Sequence, residues 1–325
     1  MPELSARMAS NWTSAAGALE GILQYYDLPL PRHAIMGLTG HAWHVCLAQR
    51  ENVAALPSGV VDLDWQAMVE RYARTGLRFE RYGGECRPGD GPDDIREAAI
   101  EWAIGHLDAG RPLIGWDFHL HEFGVVYGYD RERKGFLVDD VLTEEVGPIA
   151  HWRDWPSEAT GRIELFAPVE TWEPDAGEAV FAALETAVEM LAGRDMPDNG
   201  QARGTAALDA WADAFQGETE VDRAGNAYLL VVLQTARVDG AAFLAEVAEA
   251  VPDLAEPLGE AERALRDEAK TLAPLLTLFP FPTGGHGNVQ QPGLRESAAA
   301  ALRRAAKQER KAMEALERAL EAARE

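Results

Sequence analysis

At 325 residues, 47% of them hydrophobic, the chain has material for more than one packed core, and two domains is the expectation. Lysine and arginine number 30 against 54 aspartate and glutamate, a net charge of −24, and so acidic a surface repels a phosphate backbone, which excludes nucleic acid as an expected partner. No run approaches the roughly 18 uninterrupted apolar residues of a membrane span, the first residues carry Glu3, Arg7 and Glu20 where a secretory signal would be apolar, and Cys46 and Cys86 are too few for a disulfide framework. The expectation is a cytoplasmic protein with no membrane partner, in which the Asn11-Trp12-Thr13 sequon is silent.

In chain order, Ala18, Leu19, Ile22, Leu23 and Tyr26 fall at helical spacing and predict a buried helix over Ser14 to Tyr26, ended by Pro29-Leu30-Pro31. Further helices are predicted over Arg32 to Leu38, Asp64 to Thr75 and Pro92 to Ala109, the last stopped by Gly110. The period then switches. Pro112 to Trp116, Glu122 to Tyr129, Gly135 to Val141 and Gly161 to Phe166 are short apolar runs bounded by turn residues, hence strands, with a polar hairpin connection over Asp130 to Gly135. Helices followed by antiparallel strands make an α+β domain, expected over residues 1–171.

Residues 172–325 read as an all-α second domain, a helical bundle. Helices are predicted over Glu178 to Leu191, Gly204 to Phe215, Gly225 to Ala236, Gly240 to Val251 and Gly259 to Phe279. Leu294 to Ala323 repeats Leu294, Ala298, Leu302, Ala305, Ala312, Leu316 and Leu320 between charges, an amphipathic helix about 45 Å long. Alanine at Ala298, Ala305 and Ala312 of this stripe favours packing within the domain over a dimeric coiled coil, with a homo-oligomer as the other expectation. The glycine-rich stretch Pro280 to Asn288 lacks the Gly-Lys-Ser/Thr ending of a phosphate loop and reads as a connection.

Four collinear pieces of the first half carry a resemblance. The run Ser14-Ala15-Ala16-Gly17-Ala18-Leu19-Glu20-Gly21-Ile22-Leu23-Gln24-Tyr25-Tyr26 resembles a nucleophile helix that begins Cys-Gly-Pro and ends Tyr-Tyr-Gly, with the cysteine falling on Ser14. Ala34 to Trp43 looks like the segment that follows it. Gly110-Arg111-Pro112-Leu113-Ile114 and Glu122-Phe123-Gly124-Val125-Val126-Tyr127-Gly128-Tyr129-Asp130 resemble the strands carrying a catalytic histidine, which falls on Glu122. Gly135-Phe136-Leu137-Val138-Asp139-Asp140 matches a Gly-Tyr-Leu-Val-Asn-Asp-Pro strand, with Asp140 at the third catalytic position. Together they resemble the papain-like cysteine-peptidase superfamily, in particular its leader-peptidase and butirosin-biosynthesis acyltransferase branches. The resemblance spans about residues 10–142 and implies a papain-like fold. Gly204 to Trp211 is similar to the helical companion region of butirosin-type relatives.

With serine for cysteine and glutamate for histidine, the implied chemistry is lost. A serine hydroxyl is inert until a base removes its proton, and glutamate, with a reference pKa near 4.3 against about 6.5 for histidine, is a poor one. Beside Glu122, Asp140 would be a repulsive carboxylate rather than the orienter of an imidazolium. The expectation is therefore a catalytically degenerate protein, a pseudoenzyme that holds a small molecule or peptide in the former cleft. Asn11, Trp12, His41, Trp43 and His121 are candidate ligand-binding residues beside Ser14, Glu122 and Asp140.

Two other readings stand beside it. One is acyl transfer or amide hydrolysis of the butirosin type through Ser14. The other is a metal held by His41 and His44, three apart and hence on one face of a helix, together with His119 and His121, two apart and hence on one face of a strand. His121 would reach the catalytic face only through a one-residue bulge, while Cys46 and Cys86 read as small buried hydrophobes. No cofactor is called for, and no metal ligand is assigned.

Overall fold

The computed structural model describes residues 3–56, 64–85, 92–196 and 199–325. Its elements begin with α1 (Ser14–Tyr25), α2 (Arg32–Thr39), β1 (Cys46–Arg50), β2 (Val53–Leu56), α3 (Trp65–Tyr72), β3 (Leu77–Glu85) and α4 (Pro92–Asp108). Then come β4 (Leu113–Trp116), β5 (Phe123–Asp130), β6 (Gly135–Asp139), α5 (Thr143–Val146), β7 (Ile149–His151) and β8 (Arg162–Thr171). The remainder is α6 (Ala176–Leu191), β9 (Ala202–Arg203), α7 (Thr205–Gln216), β10 (Glu220–Val221), α8 (Arg223–Ala250), α9 (Ala255–Leu278) and α10 (Pro292–Arg324). The chain is thus α+β with a helical C-terminal region. It parts into two compact units, 1–31 with 65–174 and 32–64 with 175–325. Residues 32–64 therefore go with the helices, whereas a single division at 171/172 had placed them with the sheet.

The first unit is built on a six-stranded sheet of order β3-β8-β4-β5-β6-β7, in which every pair is antiparallel. β5 is buried along nearly its whole length, as a strand covered on both faces must be. Ala99, Ile100, Ala103, Ile104 and Leu107 of α4 recur at helical spacing and join Leu113, Val126, Phe136 and Val138 of the sheet in one apolar cluster. α1 contacts β4 and β5. Its N-terminal approach is tight: Ala9 donates its N–H to the Gly17 carbonyl (3.0 Å), and a Cβ on Gly17 or Gly21 would meet the carbonyl oxygen of Ala9 at 2.4 Å or of Arg7 at 1.8 Å. Glycine at both positions of this i, i+4 pair is what admits the strand-like segment. β3, whose sequence alternates apolar and charged residues, is an edge strand missed by the apolar-run criterion.

In the second unit, α2 and the long helices accompany a small sheet of order β10-β2-β1-β9. α6 and α8 are capped by Asp175 and Asp222, whose carboxylates accept the N–H groups of Glu178 (2.9 Å) and Gly225 (2.6 Å). The two helices expected on either side of Asp239-Gly240 are one, α8. Gly240 does not end it: a Cβ there would strike the Trp43 ring at 2.8 Å, so the glycine makes room for an indole. α8 is long and apolar enough to cross a membrane, but half of its apolar window is buried in packing. α10 buries its alanine-rich stripe against α6, α7 and α9.

Three fully buried ionisable side chains sit in this core. Arg237 of α8 donates from Nε to Glu268 of α9 (3.1 Å) and Glu309 of α10 (3.1 Å), from Nη2 to Glu309 (2.6 Å), and from Nη1 to the Ala42 carbonyl (2.7 Å). Burial first, and then the Glu309 charge, push Glu268 well above the ordinary carboxylate range. One guanidinium thus faces two buried carboxyls, and burial together with the Glu309 charge favours the protonated form of Glu268.

Candidate functional site

Ser14 is the first residue of α1, and Glu122 is the last residue before β5. The structure joins them directly: the Ser14 hydroxyl donates to Glu122 Oε2, while its oxygen accepts the Phe123 N–H (3.1 Å). Ser14 is 3% exposed. Its proton and one of its lone pairs are therefore committed within the protein, out of contact with solvent. The Glu122 carboxylate lies at the N-terminus of a 12-residue helix, where the backbone dipole and open N–H groups favour negative charge.

Asp140 follows β6 and lies beside β5. A Cβ built on Gly124 would be 2.8 Å from Asp140 Cβ, which places the aspartate one same-face step along β5 from Glu122. Its carboxylate, however, does not face Glu122 as a repulsive partner. Oδ2 meets His119 Nδ1 at 2.9 Å, and Oδ1 accepts from the Leu142 N–H (3.0 Å) and the Thr143 hydroxyl (3.1 Å). Burial alone would raise the Asp140 pKa, but the His119 hydrogen bond and charge, with these donors, outweigh it and hold the carboxyl below its ordinary value. Reciprocally, the Asp140 hydrogen bond holds His119 above the ordinary imidazole value against the opposing pull of burial, with the Ile149 carbonyl adding to the rise. The two shifts agree in direction: each partner favours the charged form of the other.

The three expected catalytic positions are thus tied into two pairs, Ser14 with Glu122 and His119 with Asp140. Reading His119 and His121 as one face of a strand is corrected. β4 stops at Trp116, and residues 117–122 form a turn closed by the Asp117 N–H on the Glu122 carbonyl (3.1 Å). Asp117 adopts φ 69°, and its buried carboxylate accepts from the Ser157 N–H (2.9 Å) and hydroxyl (2.8 Å) and from the Thr160 hydroxyl. Turned by this loop, His119 folds back to Asp140, whereas His121 is 44% exposed, edge-on to Trp116, with Nδ1 3.9 Å from Asp117 Oδ1. Asp140 thus has an imidazole partner, from a residue that strand periodicity assigned elsewhere.

Of the other candidates, Trp12, two residues before Ser14, is 42% exposed, and Asn11 Oδ1 accepts the Thr13 N–H (2.9 Å) to turn the chain into α1. Trp43 and His41 belong to the second unit and are buried there; the Trp43 indole donates to the Gly37 carbonyl (3.2 Å) and packs edge-on to Phe243. Trp43 is a core residue, not part of a ligand surface. Cys46 is buried and unbridged, and Cys86 lies outside the described residues. Among the described residues, no group of three or more His, Cys, Asp and Glu side chains is placed to hold a metal ion.

The sequence matches no family model, and no curated protein is significantly similar to it.

Proposed function

We propose that the first unit is a papain-like domain whose catalytic positions have become structural ties, and that it acts by binding a small molecule or peptide rather than by turning one over. The carrying observation is the state of Ser14: buried, its hydroxyl donating to Glu122 and its oxygen accepting from Phe123 N–H. A nucleophile must present a lone pair to the substrate and give its proton to a base able to keep it. Here the acceptor is a carboxylate at a helix N-terminus, a place that favours the anion. In the cysteine peptidases that this domain resembles, a helix start serves to stabilise a thiolate. In this chain the Glu122 carboxyl takes that place, and Ser14 anchors it. The His119 imidazole is likewise tied, its Nδ1 held by the Asp140 carboxylate at 2.9 Å. The exposed indole of Trp12 beside this centre is the group left to meet a ligand.

Acyl transfer or amide hydrolysis through Ser14 is the second reading, favoured by the direct Ser14–Glu122 contact. A fluorophosphonate and an acyl thioester applied to the full chain, followed by intact-mass spectrometry, separate the two. Binding without turnover gives no adduct with either reagent. An adduct that disappears in Ser14→Ala overturns the proposal in favour of the enzyme.

A further inference from the structure

A cavity of about 560 Å³ in the first unit, walled by α4, the β5–β6 turn and the end of β7, takes no part in either pair described above. We propose that it is a binding site for a small organic phosphate, a phosphate monoester attached to a flat ring. The volume falls in the range of about 300–1,000 Å³ that ligand sites occupy, and it is too large for a bare oxyanion.

Charge is the first argument. In the whole chain acids outnumber bases 54 to 30, yet this wall carries Arg96, Arg133, Lys134 and Arg153 against Glu97 and Glu101. Glu101 is already engaged by Arg131 through both guanidinium nitrogens (3.2 and 3.4 Å). Of the cations, Arg133, itself exposed, meets the half-buried Asp130 only at 3.7 Å, and Arg153 meets its neighbour Asp154 at 3.3 Å in an exposed pair, contacts that a ligand's phosphate can replace at little loss. The Lys134 ammonium has no acceptor among the described residues.

Construction is the second. The two loops are held edge to edge by the Trp152 N–H on the Lys134 carbonyl (2.9 Å) and by His151 Nδ1 at the Arg133 carbonyl (3.1 Å). α4 reaches the same place through Arg96 Nη1 at the Arg153 carbonyl (3.5 Å). Lys134 is held at φ 52°, a left-handed conformation that costs a lysine about 1 kcal/mol and that the glycine after it would adopt freely. Guanidinium forks match the paired oxygens of a phosphate, and an ammonium adds a point charge. Trp152, set edge-on against Phe136 at 5.8 Å, supplies the aromatic wall for a ring.

The test is calorimetric titration of the full chain with adenosine 5′-monophosphate, ribose 5-phosphate and inorganic phosphate at physiological salt. Adenosine 5′-monophosphate is expected to bind below about 1 mM and at least tenfold more tightly than inorganic phosphate. Lys134→Gly, which removes the charge and relieves the backbone, should weaken it about tenfold while melting no lower than the parent, and Arg153→Glu should weaken it further. No binding of any of the three up to about 1 mM overturns the proposal, as does binding unchanged by Lys134→Gly and Arg153→Glu. Equal affinity for inorganic phosphate and the nucleotide overturns the assignment to an organic phosphate.

Discussion

Replacing Arg237 by methionine should cost the helical unit about 3–5 kcal/mol at pH 7. Arg237, Glu268 and Glu309 are each 0% exposed, and among the described residues the guanidinium is the only positive charge bonded to either carboxylate. The variant leaves the two buried carboxyls facing each other without a counter-charge and strands the Ala42 carbonyl. Their desolvation, not the lost attraction, sets the magnitude. The pH dependence follows from the direction of the Glu268 shift. Its folded pKa is raised, so the folded state holds a proton that the unfolded chain releases above about 4.3, and stability falls as pH rises past that value. Removing Arg237 takes away a charge that lowers the Glu268 carboxyl and so raises it further; the penalty is therefore largest at neutral pH and shrinks toward pH 4. Urea denaturation followed by far-ultraviolet circular dichroism, which is dominated by these helices, measures it. Combining Arg237→Met with Glu268→Met and Glu309→Leu should restore most of the loss, because an apolar set of similar volume needs no counter-charge. A loss below about 1 kcal/mol at pH 7, or one that does not diminish in acid, would refute the reasoning.

The His119–Asp140 pair gives a second expectation, with two signs. His119, raised, contributes stability that is complete below about pH 6.5 and lost as pH rises through its folded value; Asp140, lowered, contributes above about pH 3.9 and loses it as pH falls through its own. NMR titration of the His119 ring should give a pKa above the reference, and Asp140→Asn should return it to or below that reference; an unchanged value in the variant refutes the pairing. Ser14→Ala leaves Glu122 and the Phe123 N–H without their shared hydroxyl and should destabilise the first unit by about 1–3 kcal/mol, read from thermal melts. Gly21→Ala should lower the same melt by about 1–3 kcal/mol, since its Cβ falls 1.8 Å from the Arg7 oxygen. Gly105→Ala in α4, where nothing lies within 4 Å, should raise it by up to about 1 kcal/mol; equal effects at the two glycines would count against the close approach.

Most of the long helices were legible because their apolar residues recur at 3.6, and the central strands because they are buried on both faces and read as unbroken apolar runs. What failed had local causes. β3 alternates charge with hydrophobe at a sheet edge, and β9 and β10 are two residues each, too short to carry any period. Gly240 looked like a helix stop because a glycine that admits a neighbour's ring and one that ends a helix are the same letter. In the site, Ser14 and Glu122 were placed together by collinearity with a known pattern. The partner of Asp140 was not, because it depends on how a six-residue turn is wound, and that is set by the Asp117 carboxylate receiving donors from residues 157 and 160, some 40 positions away.

The segment 32–64 has a consequence for how the protein is made. β1 ends at Arg50, and its neighbour β9 starts at Ala202, about 150 residues later, while α8, whose Gly240 receives the Trp43 ring, is later still. At about 5–20 residues per second on the ribosome, Trp43, Val45 and Leu47 wait roughly ten to thirty seconds with no surface to bury against. The sheet-bearing unit has all of its own chain by residue 174 and carries this apolar loop as a passenger throughout that interval. Slow elongation or a premature stop after residue 174 therefore exposes a sticky insertion inside an otherwise finished unit, and holdase chaperones should be found on nascent chains of intermediate length more than on the shortest or the complete ones.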